Sequence, residues 1–189
     1  SEATPITVTN TEELTAALAK VPESGSITIQ LADSATPYTA PANATNKTIT
    51  LTGGKGATLQ LVTKPNASSA SDLSFAGSQL RLEGITVCGA PSDSNQGFAC
   101  ASLDLVDCTV QDSMTLFAPA TFTHCTFDKF APPRYHIETN GQNATFTDCT
   151  FDTYGNAVHV SSPAATQSTI KASRCTFTDN AKGSQNKAV

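Results

Sequence analysis

A nine-residue segment occurs twice in this chain, and this repeat limits the possible folds more than any other feature of the 189 residues. ATFTHCTFD spans residues 120–128, and ATFTDCTFD spans residues 144–152. A repeat at a period of a few tens of residues is the sequence signature of a solenoid, in which each copy stacks on the next. The two copies start 24 positions apart, so their equivalent side chains are predicted to occupy the same place in successive turns of a coil.

Three other segments match this repeat more distantly. They are LRLEGITVC at residues 80–88, LDLVDCTVQ at residues 103–111 and IKASRCTFT at residues 170–178. All five copies carry an apolar residue or cysteine at the first, third, sixth and eighth positions. A spacing of two is that of a β-strand, whose alternate side chains share a face, so each copy predicts two short strands with inward-facing residues.

One extra residue separates the two strands of each copy and must turn the chain there. The residues at this bend are Gly84, Asp107, His124, Asp148 and Arg174. Gly, Asp and His tolerate the positive φ angle of a sharp bend, whereas Arg174 fits this position less well. The pattern therefore predicts a corner between two strands rather than a hairpin.

Each turn of such a coil, called a rung here, needs a third strand. YHI at residues 135–137 and VHV at residues 158–160 fit that role, and aligning them puts His136 over His159. ITIQL from residue 27 and ITLTGG from residue 49 extend the stack towards the N-terminus. Since parallel strands connect by right-handed crossovers, we predict an all-β fold, a right-handed single-stranded parallel β-helix (a solenoid) of about seven rungs.

Residues 1–25 predict a strand and an amphipathic helix that caps the first rung. The apolar face of this helix would consist of Leu14, Ala17, Leu18 and Val21. Thr9 and Glu12 have the spacing of a capping box at its start. A solenoid needs such a cover because an open strand edge pairs with other chains.

The whole chain, residues 1–189, is predicted to be a single β-helix domain. The rungs would occupy residues 26–180, and a polar tail would occupy residues 181–189. No comparable apolar helix follows Phe177 in the sequence. We therefore expect the stack to be part of a larger surface protein, of which this chain is a fragment.

Charge and composition exclude some classes of function. The net charge is −5, the isoelectric point is about 5.0 and only 14% of the residues are charged, which argues against a nucleic-acid partner. No stretch of about 18 apolar residues is present, so no membrane insertion is expected. Abundant Thr, Ser, Ala and Asn are typical of secreted and surface proteins.

Several segments resemble a known superfamily. GSITIQLADSATPYTAPANATNKTITLTGG, from residue 25 to residue 54, looks like the opening of right-handed parallel β-helix proteins of the pectate-lyase-like fold. CTFTDN at residues 175–180 and CTFDTYGNAVHV at residues 149–160 are similar to the repeats of bacterial polymorphic outer-membrane and adhesin-like proteins. The resemblance covers nearly the whole chain and implies a β-helix, which hosts both enzymes and inert stalks.

The enzymes of this superfamily suggest where a site would lie. Polysaccharide lyases and glycoside hydrolases use clustered carboxylates, and lyases add calcium and a basic residue. The candidate ligand-binding residues here are Arg134, His136, Glu138, Asp152, Tyr154 and His159. Asp128 would stack with Asp152, because both follow an aligned phenylalanine. The short motifs of polygalacturonases are absent, so we expect a binding surface with no catalytic residues, no metal site and no cofactor.

These observations lead to one functional hypothesis and two alternatives. We expect a non-catalytic, adhesin-like module of a secreted or cell-surface protein, bacterial in origin, that binds a polysaccharide or a host or cell-surface glycoprotein. A long flat solenoid face suits a repeating polymer. The first alternative is a polysaccharide lyase or glycoside hydrolase, and the second is a purely structural stalk segment.

The six cysteines fall into two groups. Cys108, Cys125, Cys149 and Cys175 share one inward position of the repeat and are expected to be reduced packing residues, since stacked Cβ atoms lie further apart than in a disulfide. Cys88 and Cys100 flank a loop and are a candidate disulfide. The alternative is that the loop keeps these two apart.

Overall fold

The computed structural model describes residues 4–41, 44–63, 74–89, 95–128, 135–153, 156–161 and 167–179. Within these ranges the chain is mostly β, and nearly all of its strands lie in long parallel sheets. The strands of each sheet come from successive segments of the chain, so the architecture is solenoid-like.

The largest sheet has eight strands among the described residues. In spatial order it consists of β1 (Ile6–Val8), β2 (Ser26–Leu31), β3 (Thr48–Gly53), β6 (Gln79–Glu83), β9 (Ser102–Val106), β12 (Ala120–Thr123), β15 (Ala144–Thr147) and β18 (Ile170–Ser173). Every neighbouring pair in this sheet is parallel. Its inward residues alternate with exposed ones such as Thr28, Arg81 and Thr121, as a half-buried strand requires.

A second parallel sheet lies across the corner from the first. It runs in the order β19 (Thr176–Asp179), β16 (Thr150–Thr153), β13 (Thr126–Asp128), β10 (Thr109–Gln111), β7 (Thr86–Cys88) and β4 (Thr58–Gln60). A third parallel sheet consists of β11 (Met114–Thr115), β14 (Tyr135–Glu138) and β17 (Asn156–His159). One small antiparallel pair, β5 (Val62–Thr63) with β8 (Gln96–Gly97), lies beside them.

The register of the first two sheets confirms the alignment of the sequence repeat. Phe122 pairs with Leu105 on one side and with Phe146 on the other. In the second sheet, Phe127 pairs in the same way with Val110 and Phe151. The repeated phrase thus places equivalent side chains at equivalent positions of successive rungs.

The predicted corner is also present in every copy of the repeat. Asp107, His124 and Asp148 have a φ angle of 54°, Arg174 has 51° and Gly84 has 73°. Arg174, which the sequence suggested as a poor fit, therefore adopts the same left-handed conformation as the others. Its side chain donates to both carboxylate oxygens of Asp148, at 2.6 and 3.2 Å.

Phenylalanine side chains fill the core between the first two sheets. The ring centroids of Phe122 and Phe146 lie 4.9 Å apart with nearly parallel planes, and those of Phe127 and Phe151 lie 4.4 Å apart. All four side chains are buried. Burial decreases at the last described strands, where Phe177 is only half-buried.

The helix near the N-terminus, α1 (Thr11–Ala19), packs its predicted apolar face into this same core. Leu14 and Leu18 are fully buried in the cluster that also contains Val8. The expected capping box of Thr9 and Glu12 is wrong by one residue. Asn10 is the N-cap, and its side chain accepts a hydrogen bond from the backbone N–H of Glu13 at 2.8 Å.

Candidate functional site

The third sheet carries three of the six predicted site residues, His136, Glu138 and His159, but its register differs from the predicted one. Tyr135 pairs with Asn156, and Glu138 pairs with His159. The alignment of YHI with VHV is therefore wrong, and His136 does not stack with His159. The two histidines lie in different environments, and only His159 is partly exposed.

His136 is a core residue and does not face outwards. Its side chain is completely buried, and its ring lies within 6.0 Å of the Phe127 ring, centroid to centroid. Its Nε2–H donates to the backbone carbonyl of Asp152 at 2.8 Å. Burial lowers the pKa of His136, while the nearby charges of Asp152 and Asp128 act in the opposite direction. The imidazole is thus a neutral packing group that ties β14 to β16.

A small exposed surface remains on the same sheet, and we call it the Tyr135 patch: Tyr135, Glu138 and His159. The rings of Tyr135 and His159 stack with their centroids 4.1 Å apart and their planes at 20°. His159 Nδ1 lies 3.8 Å from Glu138 Oε1. All three side chains are partly exposed. The patch therefore offers flat ring surface next to a carboxylate that accepts hydrogen bonds.

Tyr135 was not among the predicted site residues, although it belongs to the predicted third strand. The signal that could have identified it is an aromatic residue at the first position of that strand. Arg134 and Tyr154, which were predicted for the site, lie outside the described residues. Asp152 contributes its backbone carbonyl to the His136 hydrogen bond, and its side chain is half-buried.

A second outward feature is a continuous row of threonines on the second sheet. We call it the threonine ladder, and it consists of Thr58, Thr86, Thr109, Thr126, Thr150 and Thr176. Each member pairs in register with the next one. Thr126, Thr150 and Thr176 are exposed, whereas Thr86 is buried and donates to the carbonyl of Lys55 at 2.8 Å. The sequence signal was the threonine that follows the cysteine in four of the five repeat copies.

A row of ionisable side chains follows the corner between the two sheets. His124 lies between two carboxylates, with Nδ1 3.4 Å from Asp107 Oδ1 and Nε2 3.9 Å from Asp148 Oδ2. The Arg174 guanidinium hydrogen-bonds Asp148 and lowers the pKa of that carboxyl. The row is solvent-exposed along most of its length, so each pair adds little to stability.

Cysteines 88 and 100, which lie outside the inward column of the repeat, do not form the candidate disulfide. Cys88 and Cys100 are both free thiols. Cys88 follows the inward-facing Val87 on its strand and is half-buried, whereas Cys100 belongs to the buried core. Burial raises the pKa of both thiols, that of Cys100 to about 12. The candidate disulfide is therefore absent from the structure.

No group of three or more His, Cys, Asp or Glu side chains in the described ranges could hold a metal ion. The one described helix is too short and too polar to span a membrane.

The whole chain was also compared with known proteins. No protein-family model, no curated protein and no solved structure matches it.

Proposed function

We propose that this chain is a non-catalytic module of a secreted or cell-surface protein, adhesin-like and bacterial, that binds a polysaccharide or the glycan of a surface glycoprotein. In this proposal the stacked sheets are a right-handed parallel β-helix of about seven rungs, related to the pectate-lyase-like superfamily, and α1 caps its first rung. The parallel strand order and the in-register repeat support this reading.

The Tyr135 patch is the observation that carries the proposal. Sugars present alternating apolar C–H faces and hydroxyl groups, so a protein recognises them with flat rings and with hydrogen-bonding carboxylates. Tyr135 and His159 supply the stacked rings, and Glu138 supplies the carboxylate. On a different sheet, the exposed end of the threonine ladder presents hydroxyl groups that both donate and accept hydrogen bonds.

Glycan binding is tested on an array of polysaccharides and glycoprotein glycans, followed by measurement of Kd for the best ligand. Tyr135→Ala and His159→Ala should each weaken binding at least tenfold. His124→Ala is the matched control, since His124 is an exposed histidine of the corner row and lies outside the patch. Glu138→Gln should also weaken binding, and Glu83→Gln on the first sheet is its control.

The outcome of these measurements decides between the proposal and the stalk alternative. Equal Kd values for the wild type and the patch variants would show that the glycan binds at a site other than the Tyr135 patch. Binding to no glycan at all would favour a purely structural segment.

A polysaccharide lyase or glycoside hydrolase remains the second candidate function. The observation that favours it is the pair of titratable groups, Glu138 and His159, separated by 3.8 Å on a partly exposed surface. Proton transfer in such enzymes requires groups of this kind. We expect no cleavage of pectin, polygalacturonate or common glycans, with or without calcium. Unsaturated products or new reducing ends that disappear in Glu138→Gln would reverse this order of preference.

A further inference from the structure

The turn after β14 contains the dipeptide Asn140–Gly141, a sequence that is prone to deamidation in an unfolded chain. Both residues have the positive φ angle of a tight turn, 51° and 77°. Glycine has no side chain to shield its backbone nitrogen, so this nitrogen can attack the carboxamide of the asparagine before it. Whether the modification takes place depends on how the fold holds these two groups.

Deamidation proceeds through a cyclic imide. The Gly141 nitrogen loses its proton and bonds to Asn140 Cγ, the Cγ–Nδ2 bond breaks, and ammonia leaves. Water then opens the imide at either of its two carbonyl groups and yields aspartate or isoaspartate at this position. In sum, one amide and one water become one carboxylic acid and one ammonia, so no oxidant or reductant takes part.

In the folded chain the two reacting groups are tied to opposite neighbours in the third sheet. Asn140 Nδ2 donates to the backbone carbonyl of Leu116, just after β11, at 3.1 Å. The Gly141 N–H donates to the backbone carbonyl of Ser161, beyond the end of β17, at 2.7 Å. β11 and β17 lie on opposite sides of β14. The attacking nitrogen therefore keeps its proton in a hydrogen bond to one rung, while the carboxamide is bound to the other.

Ser161 is itself fixed by Thr139, which is completely buried. Thr139 Oγ1 donates to the Ser161 carbonyl and accepts from the Ser161 N–H, both at 3.0 Å. The Asn140 N–H donates to Ser161 Oγ, also at 3.0 Å. We infer that Asn140–Gly141 is a latent deamidation site, which the folded stack keeps closed and which reacts when the turn at Ser161 detaches from the turn at Gly141.

Such a detachment is a local event in a stacked array. Each rung contacts only its neighbours, and β17 is the last strand of its sheet among the described residues. Proteins open locally at a lower free energy than that of global unfolding. The reaction also prevents the turn from closing as before, because a carboxylate oxygen in place of Nδ2 cannot donate to the Leu116 carbonyl.

The test compares deamidation of the whole chain in buffer and in guanidinium chloride, at the same mildly alkaline pH. Peptide mapping by mass spectrometry follows the conversion of amide to acid at Asn140. We expect the folded chain to react at least tenfold more slowly than the unfolded chain. Asn143 is the internal control, since the side chain of Ala144 shields the nitrogen after it, and it should react slowly in both solutions. Equal rates at Asn140 in the two solutions would overturn the inference.

Variants identify the contact that closes the site. Thr139→Val keeps the branched shape and removes both hydrogen bonds to Ser161, so the folded variant should react at Asn140 at least threefold faster than the wild type. Ser161→Ala removes only the acceptor for the Asn140 N–H and provides a second, milder variant, which should also react faster. Circular dichroism verifies that each variant is folded.

Asn10→Ala is the control for a general loss of stability, because it weakens α1 at the other end of the stack and should leave the rate at Asn140 unchanged. An equal acceleration in Asn10→Ala would show that the site opens only by global unfolding. Unchanged rates in both Thr139→Val and Ser161→Ala would show that the turn at Ser161 does not close it. This inference does not depend on the proposed glycan binding.

Discussion

Four residues of three different types adopt the same backbone conformation at the corner of successive rungs. Asp107, His124, Asp148 and Arg174 have φ angles between 51° and 54°. Asp and His adopt this left-handed conformation more readily than most residues. For arginine the conformation is less favourable, and it costs most side chains about 1–2 kcal/mol. Arg174 is held there by strand pairs on both sides of the bend and by its hydrogen bonds to Asp148. The repeated geometry therefore dominates over the preference of the individual residue.

Among single residues, Phe146 is expected to make one of the largest contributions to the free energy of unfolding. Its ring stacks on Phe122 and contacts Phe127 and Phe151 edge-on, at centroid distances of 5.9 and 5.4 Å. Phe146→Ala should lower the free energy of unfolding by about 3–5 kcal/mol, because the rungs above and below cannot collapse into the cavity. Urea denaturation measures this loss. Phe177→Ala, at a half-buried position of the same core, is the control and should cost less.

His136 should make stability depend on pH. Burial depresses its pKa below the usual 6.5, so the folded chain binds this proton less readily than the unfolded chain. Its contribution to stability is fully present above pH 6.5 and is lost as the pH falls through the folded pKa. The free energy of unfolding should therefore decrease from about pH 7.5 to about pH 5.

Two glutamine variants isolate this effect in urea denaturation at the two pH values. His136→Gln keeps a donor for the Asp152 carbonyl and removes the titration, so its stability should change less between them. His124→Gln, at an exposed corner position, should behave like the wild type. A decline of the same size in His136→Gln would contradict the prediction.

The start of α1 provides a prediction at the scale of one element. Asn10 Oδ1 accepts from the Glu13 N–H, and Glu13 Oε2 accepts from the Thr9 N–H at 2.8 Å. Asn10→Ala should thus destabilise the protein by about 1 kcal/mol in thermal or urea unfolding. Thr9→Ala keeps its backbone donor and should change little. A larger effect of Thr9→Ala than of Asn10→Ala would restore the capping box predicted from the sequence.

The strands of the first two sheets could be predicted from sequence because their inward positions are uniform. The four inward positions are apolar or cysteine in all five copies, so register follows from matching the copies. β14 differs, since His136 and Ile137 are consecutive and both are buried. The alternation of apolar and polar residues therefore does not predict the register of this strand. The sequence similarity of YHI and VHV suggested the wrong pairing.

The same error affects the predicted site, because two of its residues, His136 and His159, were chosen from the alignment of these two segments. Glu138 and His159 were predicted and do lie together, although through a pairing that the sequence did not indicate. Tyr135 was missed for the same reason, since its contact with His159 depends on the true register. Side-chain contacts across rungs cannot be predicted when the strand alignment is off by two residues.

At the scale of the whole molecule, stability depends on contacts between neighbouring rungs. Nearly all strand pairs join segments from successive turns, and the core cluster runs continuously from Val8 to Phe177. Such an array behaves approximately as a sum of rung stabilities and interfaces between neighbours. Loss of one internal contact is therefore felt mainly by the rungs on either side.

Two neighbouring rungs share a nine-residue segment that differs only at His124 and Asp148, so the chain is expected to tolerate removal of one whole rung. β12 and β15 have the same sequence, Ala-Thr-Phe-Thr, and each pairs in register with the strand before it. Deleting residues 121–144 joins Ala120 to Thr145 and presents β9 with the same four side chains. The shortened protein should unfold cooperatively, with an m-value reduced roughly in proportion to the surface removed. A non-cooperative transition would mean that the two copies are not interchangeable. A cooperative transition would show that either copy can follow β9, so this part of the sequence sets how many rungs the stack has and not which rung must stand at each place.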